Sequence, residues 1–426
     1  MAAPQIIEAD VTWTGHRFEP SIQVVTSNGL VERLGALGLV PTKKLSGKAL
    51  LPGMVNVHSH AFQRGLRGSG DLFSDGSGNF WSWREAMYKL ASELDAEKFA
   101  HLCRQAFSEM LTAGITTVGE FHYLHHSGSE ENYAMDAAIV RAAQDVGIRL
   151  VLLSAFYNTG GVNKPLSENQ QQFKTDSVEA YWDQWDELCS HLDENTQTLG
   201  VAAHSVRAAS LADIGQLHRD ACRRKLPFHM HVEEQRKEVE EFRADFGRTP
   251  MSMLTQELDV SANFTAVHCT HTSAEDMEQY LAAGGNVCIC PLTEANLGDG
   301  IPATPDIVTA GGRVCIGTDS NSRISFSEEL RWLEYVQRLH QEKRGVLVGE
   351  TGNVARNLFE MATVNGARSL NVQSGEISPG FNADFVTLDL TAPELRGADP
   401  DTLLEAFIFG CGNSVIADRC VAGRWL

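Results

Sequence analysis

The sequence predicts an α/β fold: a closed (β/α)8 TIM-like barrel carrying a small β-sandwich module built from both chain ends. Eight near-continuous apolar runs recur through the middle of the chain, most of them followed by a helix-like stretch. Buried parallel strands read this way, and eight such units are the number that closes a barrel. Shorter β-like runs broken by turn signals occupy both ends, so the two termini are expected to pair. At 426 residues the chain also exceeds what one ordinary core organises.

Taken in order, Val11-Thr12-Trp13, Ile22-Gln23-Val24-Val25 and Leu30-Val31 read as small antiparallel strands. The barrel runs follow at 50–60, 116–123, 149–157, 199–206, 227–232, 264–268, 286–291 and 313–319. Between them, a helical pattern from Ala134 stops at Gly147, a C-terminal stop signal. Ser325-Phe326-Ser327-Glu328 has capping-box spacing, with Leu330, Leu333, Val336 and Leu339 on one face. The longest gap, His60 to Thr116, holds a glycine- and serine-rich piece (Gly65 to Gly78) and then Phe80-Trp81-Ser82-Trp83-Arg84. That length is typical of a loop that shapes a binding site. Ala383 to Leu388 reads as a strand and Arg419 to Trp425 as a terminal hairpin. The expected division is residues 1–50 and 372–426 for the small module and 51–371 for the barrel.

Lysine and arginine number 35 against 55 acidic residues, a net charge of −20. Such a balance opposes a nucleic-acid or anionic-membrane partner, which needs a basic face. A small anionic substrate stays open if arginines concentrate locally. Nine scattered cysteines without a Cys-x-x-Cys pair fit a reducing compartment. Met1 to Thr12 carries Glu8 and Asp10 and no basic stretch, and no run of 18 apolar residues occurs. The expectation is a soluble, cytoplasmic chain.

Five of the eight runs end in metal-competent or titratable residues: His58 and His60, His204, His231, His268 and Asp319. Strand C-termini of a parallel barrel face one end, so these side chains converge. Residues i and i+2 of a strand share a side, which lets His58 and His60 address one ion. Imidazoles with one carboxylate suit zinc or iron(II) better than calcium or magnesium. His229-Met230-His231 is a second His-x-His, with His229 read as a residue lining the barrel interior. His122, His125 and His126, and His101, His191, His218 and His340, are read as solvated or packed imidazoles outside the site.

Leu51-Pro52-Gly53-Met54-Val55-Asn56-Val57-His58-Ser59-His60 resembles the first-strand signature of the amidohydrolase superfamily, and the other strand-end residues follow its order. No lysine ends the fourth strand to bridge two metals, so the chain is similar to the mononuclear deaminase branch. Longer strings carry a closer resemblance, to the formimidoylglutamate deiminase family, over almost the whole chain. They include His58-Ser59-His60-Ala61-Phe62-Gln63-Arg64, Phe80-Trp81-Ser82-Trp83-Arg84-Glu85, Glu120-Phe121-His122-Tyr123-Leu124-His125-His126, and His204-Ser205-Val206-Arg207. Thr293 to Gly300 and Glu328 to Tyr335 match as well.

The resemblance implies one divalent ion, Zn2+ or alternatively Fe2+, on His58, His60, His231 and Asp319. It implies Glu234, His268 and Asp319 in proton transfer, and Gln63, Arg84, Tyr123, His204 and Arg207 around the substrate. The activity it implies is hydrolysis of N-formimino-L-glutamate to N-formyl-L-glutamate and ammonia, a step of histidine degradation, by a cytoplasmic homodimer. Two positions depart from the family pattern: Asn321, where a histidine is expected, and Glu233-Glu234, where one glutamate is expected after an alanine. Strand parity favours Glu233 and family spacing Glu234, so both stay candidates for the catalytic carboxylate. A dicarboxylate entering so acidic a protein needs bidentate donors, a role that Arg207 and Arg84 suit, although Arg84 could instead pair with Glu85. The competing readings are a deaminase of a neutral heterocycle such as guanine or cytosine, and a catalytically silent barrel scaffold.

Overall fold

The computed structural model describes residues 4–73, 76–127, 133–350 and 352–426. Residues 74 and 75 of the predicted loop, and the first three residues of the N-terminal stretch, lie outside the described residues. The N-terminal strands are β1 (Gln5–Trp13), β2 (Phe18–Pro20), β3 (Gln23–Ser27), β4 (Leu30–Gly35) and β5 (Lys43–Pro52). Eight parallel strands follow: β6 (Met54–Ser59), β7 (Ile115–His122), β8 (Arg149–Phe156), β9 (Gln197–Ala203), β10 (Phe228–Val232), β11 (Phe264–His268), β12 (Asn286–Ile289) and β13 (Arg313–Ile316). The chain returns in β14 (Phe385–Asp389), β15 (Ile416–Val421) and β16 (Arg424–Trp425).

Both chain ends enter one mixed sheet of order β16-β15-β14-β5-β1-β3-β4, with β2 paired to β1. Its hinge is β5, parallel to β1 on one side and antiparallel to β14 on the other. Ile7, Val24, Leu45, Leu50 and Phe385 form a small core of their own beneath it. The second sheet runs β6 to β13 in sequence order. It closes through a parallel bridge between Ser59 and Asp319, where the His58 carbonyl accepts from Thr318 N and Asp319 N and the Asp319 carbonyl accepts from His60 N. Side chains pointing inward fill the barrel, as apolar runs buried on both faces require.

The first predicted run divides. Residues 50–52 belong to β5 in the small sheet, and the barrel strand begins at Met54. Gly53 stands at the crossing, where a Cβ would lie 2.0 Å from Thr116 Oγ1, so only glycine lets the chain pass so close to β7. The predicted aromatic loop is helical: Phe80–Glu93 starts on an Asn79 cap whose side chain accepts from Trp81 N and Ser82 N. The predicted capping box at Ser325 does not form, because Ser325 Oγ donates to Asn413 and Glu328 pairs with Arg323. On that helix, Leu330 and Leu333 are buried as expected, whereas Leu339 is 78% exposed, the buried face turning toward Glu334 and Gln337 instead.

Barrel and module are tied by a buried ion pair at the first residue of β8. Arg149 Nε donates to Asp384 Oδ2 at 2.6 Å and Nη2 to Oδ1 at 3.1 Å. Ala422 N and Ser374 Oγ donate to the same carboxylate. Arg149→Met leaves that buried charge without its cation, and the expected cost is about 3 kcal/mol, read from the urea midpoint of the metal-loaded protein.

Candidate metal centre and active site

At the C-terminal mouth of the barrel four donors meet. His58 Nε2 lies 3.0 Å from His231 Nε2 and 3.4 Å from Asp319 Oδ1, and His60 Nε2 lies 3.2 Å from the same oxygen. Backbone carbonyls set two of the tautomers. His60 Nδ1 donates to the Phe121 carbonyl at 2.8 Å and His231 Nδ1 to the His204 carbonyl at 2.9 Å, which turns each Nε2 inward as a bare lone pair. Burial then disfavours charge on two of the rings: His58 is pushed down to about 3, and His231 well below its usual value. Burial alone would raise Asp319, yet the contacts from His58 and His60 keep it an anion, well below the carboxylate range. Three neutral nitrogens and one carboxylate around a point fit a divalent cation, and without one their lone pairs repel.

Beside this cluster, His268 Nε2 is 3.9 Å from Asp319 Oδ2 and 4.0 Å from Glu234 Oε1, while Nδ1 faces Glu294 Oε1 at 3.2 Å. Burial opposes charge on His268, but the three carboxylates, Glu234 foremost, outweigh it and raise it to about 10. The two glutamates left open by the sequence point apart. Glu234 reaches the cleft and accepts from Arg207 Nη2 at 2.9 Å, whereas Glu233 turns inward, where Oε1 accepts from Met251 N at 2.9 Å. The turn that reverses parity is visible in the backbone, since Glu233 has φ +53°. His268, Cys269, Asp319 and Asn321 are also left-handed, so strained residues costing about 1 kcal/mol or more each end β11 and follow soon after β10 and β13.

Gln63, Arg84, Tyr123, His204 and Arg207 all line the cleft above the donors. Gln63 donates to Tyr123 Oη at 2.8 Å. Arg207 is buried and answered by two carboxylates, with Nη2 on Glu234 and Nε 2.8 Å from Glu238. Arg84 lies 4.5 Å from the Trp81 ring centre and, among the described residues, has no carboxylate partner; the pairing with Glu85 does not form.

The amidohydrolase family model matches residues 49–426. This chain belongs to the amidohydrolase family. Formimidoylglutamate deiminase of Pseudomonas aeruginosa is 39% identical over 390 residues, covering 89% of this chain and 85% of that protein. A 5-methylthioadenosine/S-adenosylhomocysteine deaminase of Halalkalibacterium halodurans is 29% identical over 388 residues, covering 88% and 80%. The crystal structure of an amidohydrolase from Brucella melitensis superposes with a TM-score of 0.90 at 33% identity, covering 99% of this chain and 94% of that one.

Within this amidohydrolase, Asn321 sits behind the cleft. Its Nδ2 donates to Ser59 Oγ at 3.0 Å and its Oδ1 accepts from Thr318 Oγ1 at 2.7 Å, fastening the barrel seam at Asp319. His229, one register below His231, donates from Nε2 to the Ser369 carbonyl at 3.0 Å and is not part of the donor cluster. Sequence reasoning assigned nothing to Glu294, Tyr157 or Gln170. Glu294 lies within the matching string from Thr293 and Tyr157 ends an apolar run, so both carried a signal. Gln170, which donates to Tyr157 Oη at 2.7 Å, sits in a short 3-10 turn with no periodicity to mark it.

Two substitutions separate the glutamates. Glu234→Gln is expected to lower kcat by about 10²- to 10⁴-fold with metal content intact, in a steady-state ammonia assay, while Glu233→Gln leaves kcat within about threefold. Burial raises Glu233 from 4.5 to about 7, so its folded-state proton adds stability fully present below 4.5 and lost as the pH rises through about 7. Glu233→Gln has no such proton to lose, and its melting temperature relative to the parent is expected to rise between about pH 5 and about pH 8.

Proposed function

We propose that this chain hydrolyses the formimino group of N-formimino-L-glutamate, giving N-formyl-L-glutamate and ammonia, with Zn2+ on His58, His60, His231 and Asp319. The observation that carries the reading is Arg84: a guanidinium without a carboxylate partner among the described residues, stacked on Trp81 and facing the same cleft as the donor cluster. An unneutralised cation there suits an anionic substrate and has no use for a neutral ring. The 39% identity to a formimidoylglutamate deiminase supports the same choice. We also propose the cytoplasm as its compartment and a homodimer as its assembly. Among the described residues no helix is long and apolar enough to cross a membrane.

When bound, the divalent ion supplies Lewis acidity, which acidifies a water enough for attack on an sp² carbon near neutral pH. The chain supplies the rest. Arg84 and Arg207 hold the carboxylates, and Tyr123, Gln63 and His204 seat the formimino end against the donors. Asp319, with His268 beside it, accepts the proton of the attacking water. Glu234 delivers protons to the departing nitrogen so that it leaves as ammonia, and its contact with Arg207 keeps it aimed at the cleft. Glu294 fixes the ring of His268 through Nδ1.

The test is ammonia release across N-formimino-L-glutamate, its diamide and aminated heterocycles including guanine and cytosine. The dicarboxylate is expected to lead, and Arg84→Met to raise its KM by about 10- to 100-fold, the worth of a charged hydrogen bond. Chelation is expected to abolish turnover and added zinc to restore it. Faster turnover of a neutral heterocycle overturns the reading.

A further inference from the structure

β7 ends at His122, and the next four residues, Tyr123 to His126, run buried without regular structure. His122 Nε2 lies 2.8 Å from Asp136 Oδ1, and His125 Nδ1 lies 2.9 Å from the same oxygen. His125 Nε2 lies 2.8 Å from the Ala155 carbonyl, and Gln184 donates to Asp136 Oδ2 at 3.2 Å. Asp136 stands in the first turn of the helix Ala134–Val146, where the macrodipole favours an anion. All three side chains are almost wholly buried.

Counting protons decides their state. A carboxylate oxygen and a backbone carbonyl both accept, so the His125 ring donates from both nitrogens, and His122 donates from Nε2. The cluster thus holds one proton more than two neutral imidazoles and a carboxylate would. Between the two histidines stands Tyr123, whose hydroxyl accepts from Gln63 and whose ring packs edge-on against His60 and His204 at 5.0 and 5.1 Å. We propose that His122, Asp136 and His125 are positioning residues, an imidazolium–carboxylate triad that fixes Tyr123 over the metal centre.

Burial disfavours charge on His125, but the Asp136 carboxylate and then the Ala155 carbonyl outweigh it and raise its pKa above the ordinary value. Burial would raise Asp136, and the two histidines draw it well below. Among the described residues, the other titratable groups around the triad include His126 and Tyr133, whose rings lie 6.2 and 6.0 Å from His125, Tyr181, whose hydroxyl donates to the Ser154 carbonyl, and, farther in, His60. A second divalent ion is the rival occupant, since the three donors lie within ligand reach of one another. The separations favour the proton. Ligands about 2.0 Å from a tetrahedral ion stand about 3.3 Å apart, whereas both contacts to Asp136 Oδ1 have hydrogen-bond length.

Two measurements on the zinc-loaded full chain test this. Imidazole nitrogen NMR is expected to show His125 protonated on both nitrogens at about pH 8, above the ordinary imidazole value, with one metal per chain. A neutral ring, or a second ion lost in His125→Gln, overturns the proposal. In a kinetic cycle, His125→Gln is expected to lower kcat/KM for N-formimino-L-glutamate about tenfold in the parent and less than about twofold in Tyr123→Phe. Equal losses in both backgrounds mean the triad does not act through Tyr123 and overturn that role. The kinetic arm rests on the substrate reading above, while the NMR arm needs no substrate and stands or fails by itself.

Discussion

Three inward-facing imidazole nitrogens and one carboxylate are held at distances where only a cation relieves their repulsion, and much of the barrel mouth follows from that constraint. The Phe121 and His204 carbonyls fix ring tautomers, the His204 carbonyl while also accepting from the His231 backbone N–H. The seam between β6 and β13 is stitched by backbone bonds between the ligand residues themselves, so closing the barrel and assembling the donors are one event. The left-handed residues at three strand ends are the strain of turning side chains inward where the pleat would point them elsewhere.

Much of this was legible beforehand, for a physical reason. Parallel strands buried on both faces have no polar alternation to hide behind, so His58, His60, His231, His268 and Asp319 stand out as titratable groups at the ends of apolar runs. What parity could not supply was the choice between Glu233 and Glu234, because a single left-handed residue breaks the period of two. Composition also misread the aromatic segment, where an Asn79 cap and good helix formers after Trp83 outweigh the loop-like glycines before it. His122 and His125 were set aside as solvated or packed imidazoles, and packed they are, but their shared carboxylate lies fourteen and eleven residues on and leaves no local trace.

Arg207 shows how recognition and chemistry are joined. Its charge is answered by Glu234 and Glu238, so it cannot meet a substrate carboxylate without loosening the group assigned to proton delivery. Arg84 lies against the Trp81 and Tyr88 rings and, among the described residues, has no carboxylate partner. On the proposed reading, a dianion would bind first at Arg84 and then compete for Arg207, coupling substrate binding to the freedom of Glu234.

β5 runs without a break, through Gly53, into the strand that bears His58. Its partner on the far side is β14, encoded near the other end of the chain, with Lys48 opposite Asp389. On the ribosome, therefore, β5 emerges early but lacks β14 until most of the polypeptide has been made, whereas the first ligand strand meets β7 soon after it is made. The donor set itself is complete only when Asp319 has been made and the long-range seam to Ser59 has formed, a contact of the kind that closes slowly.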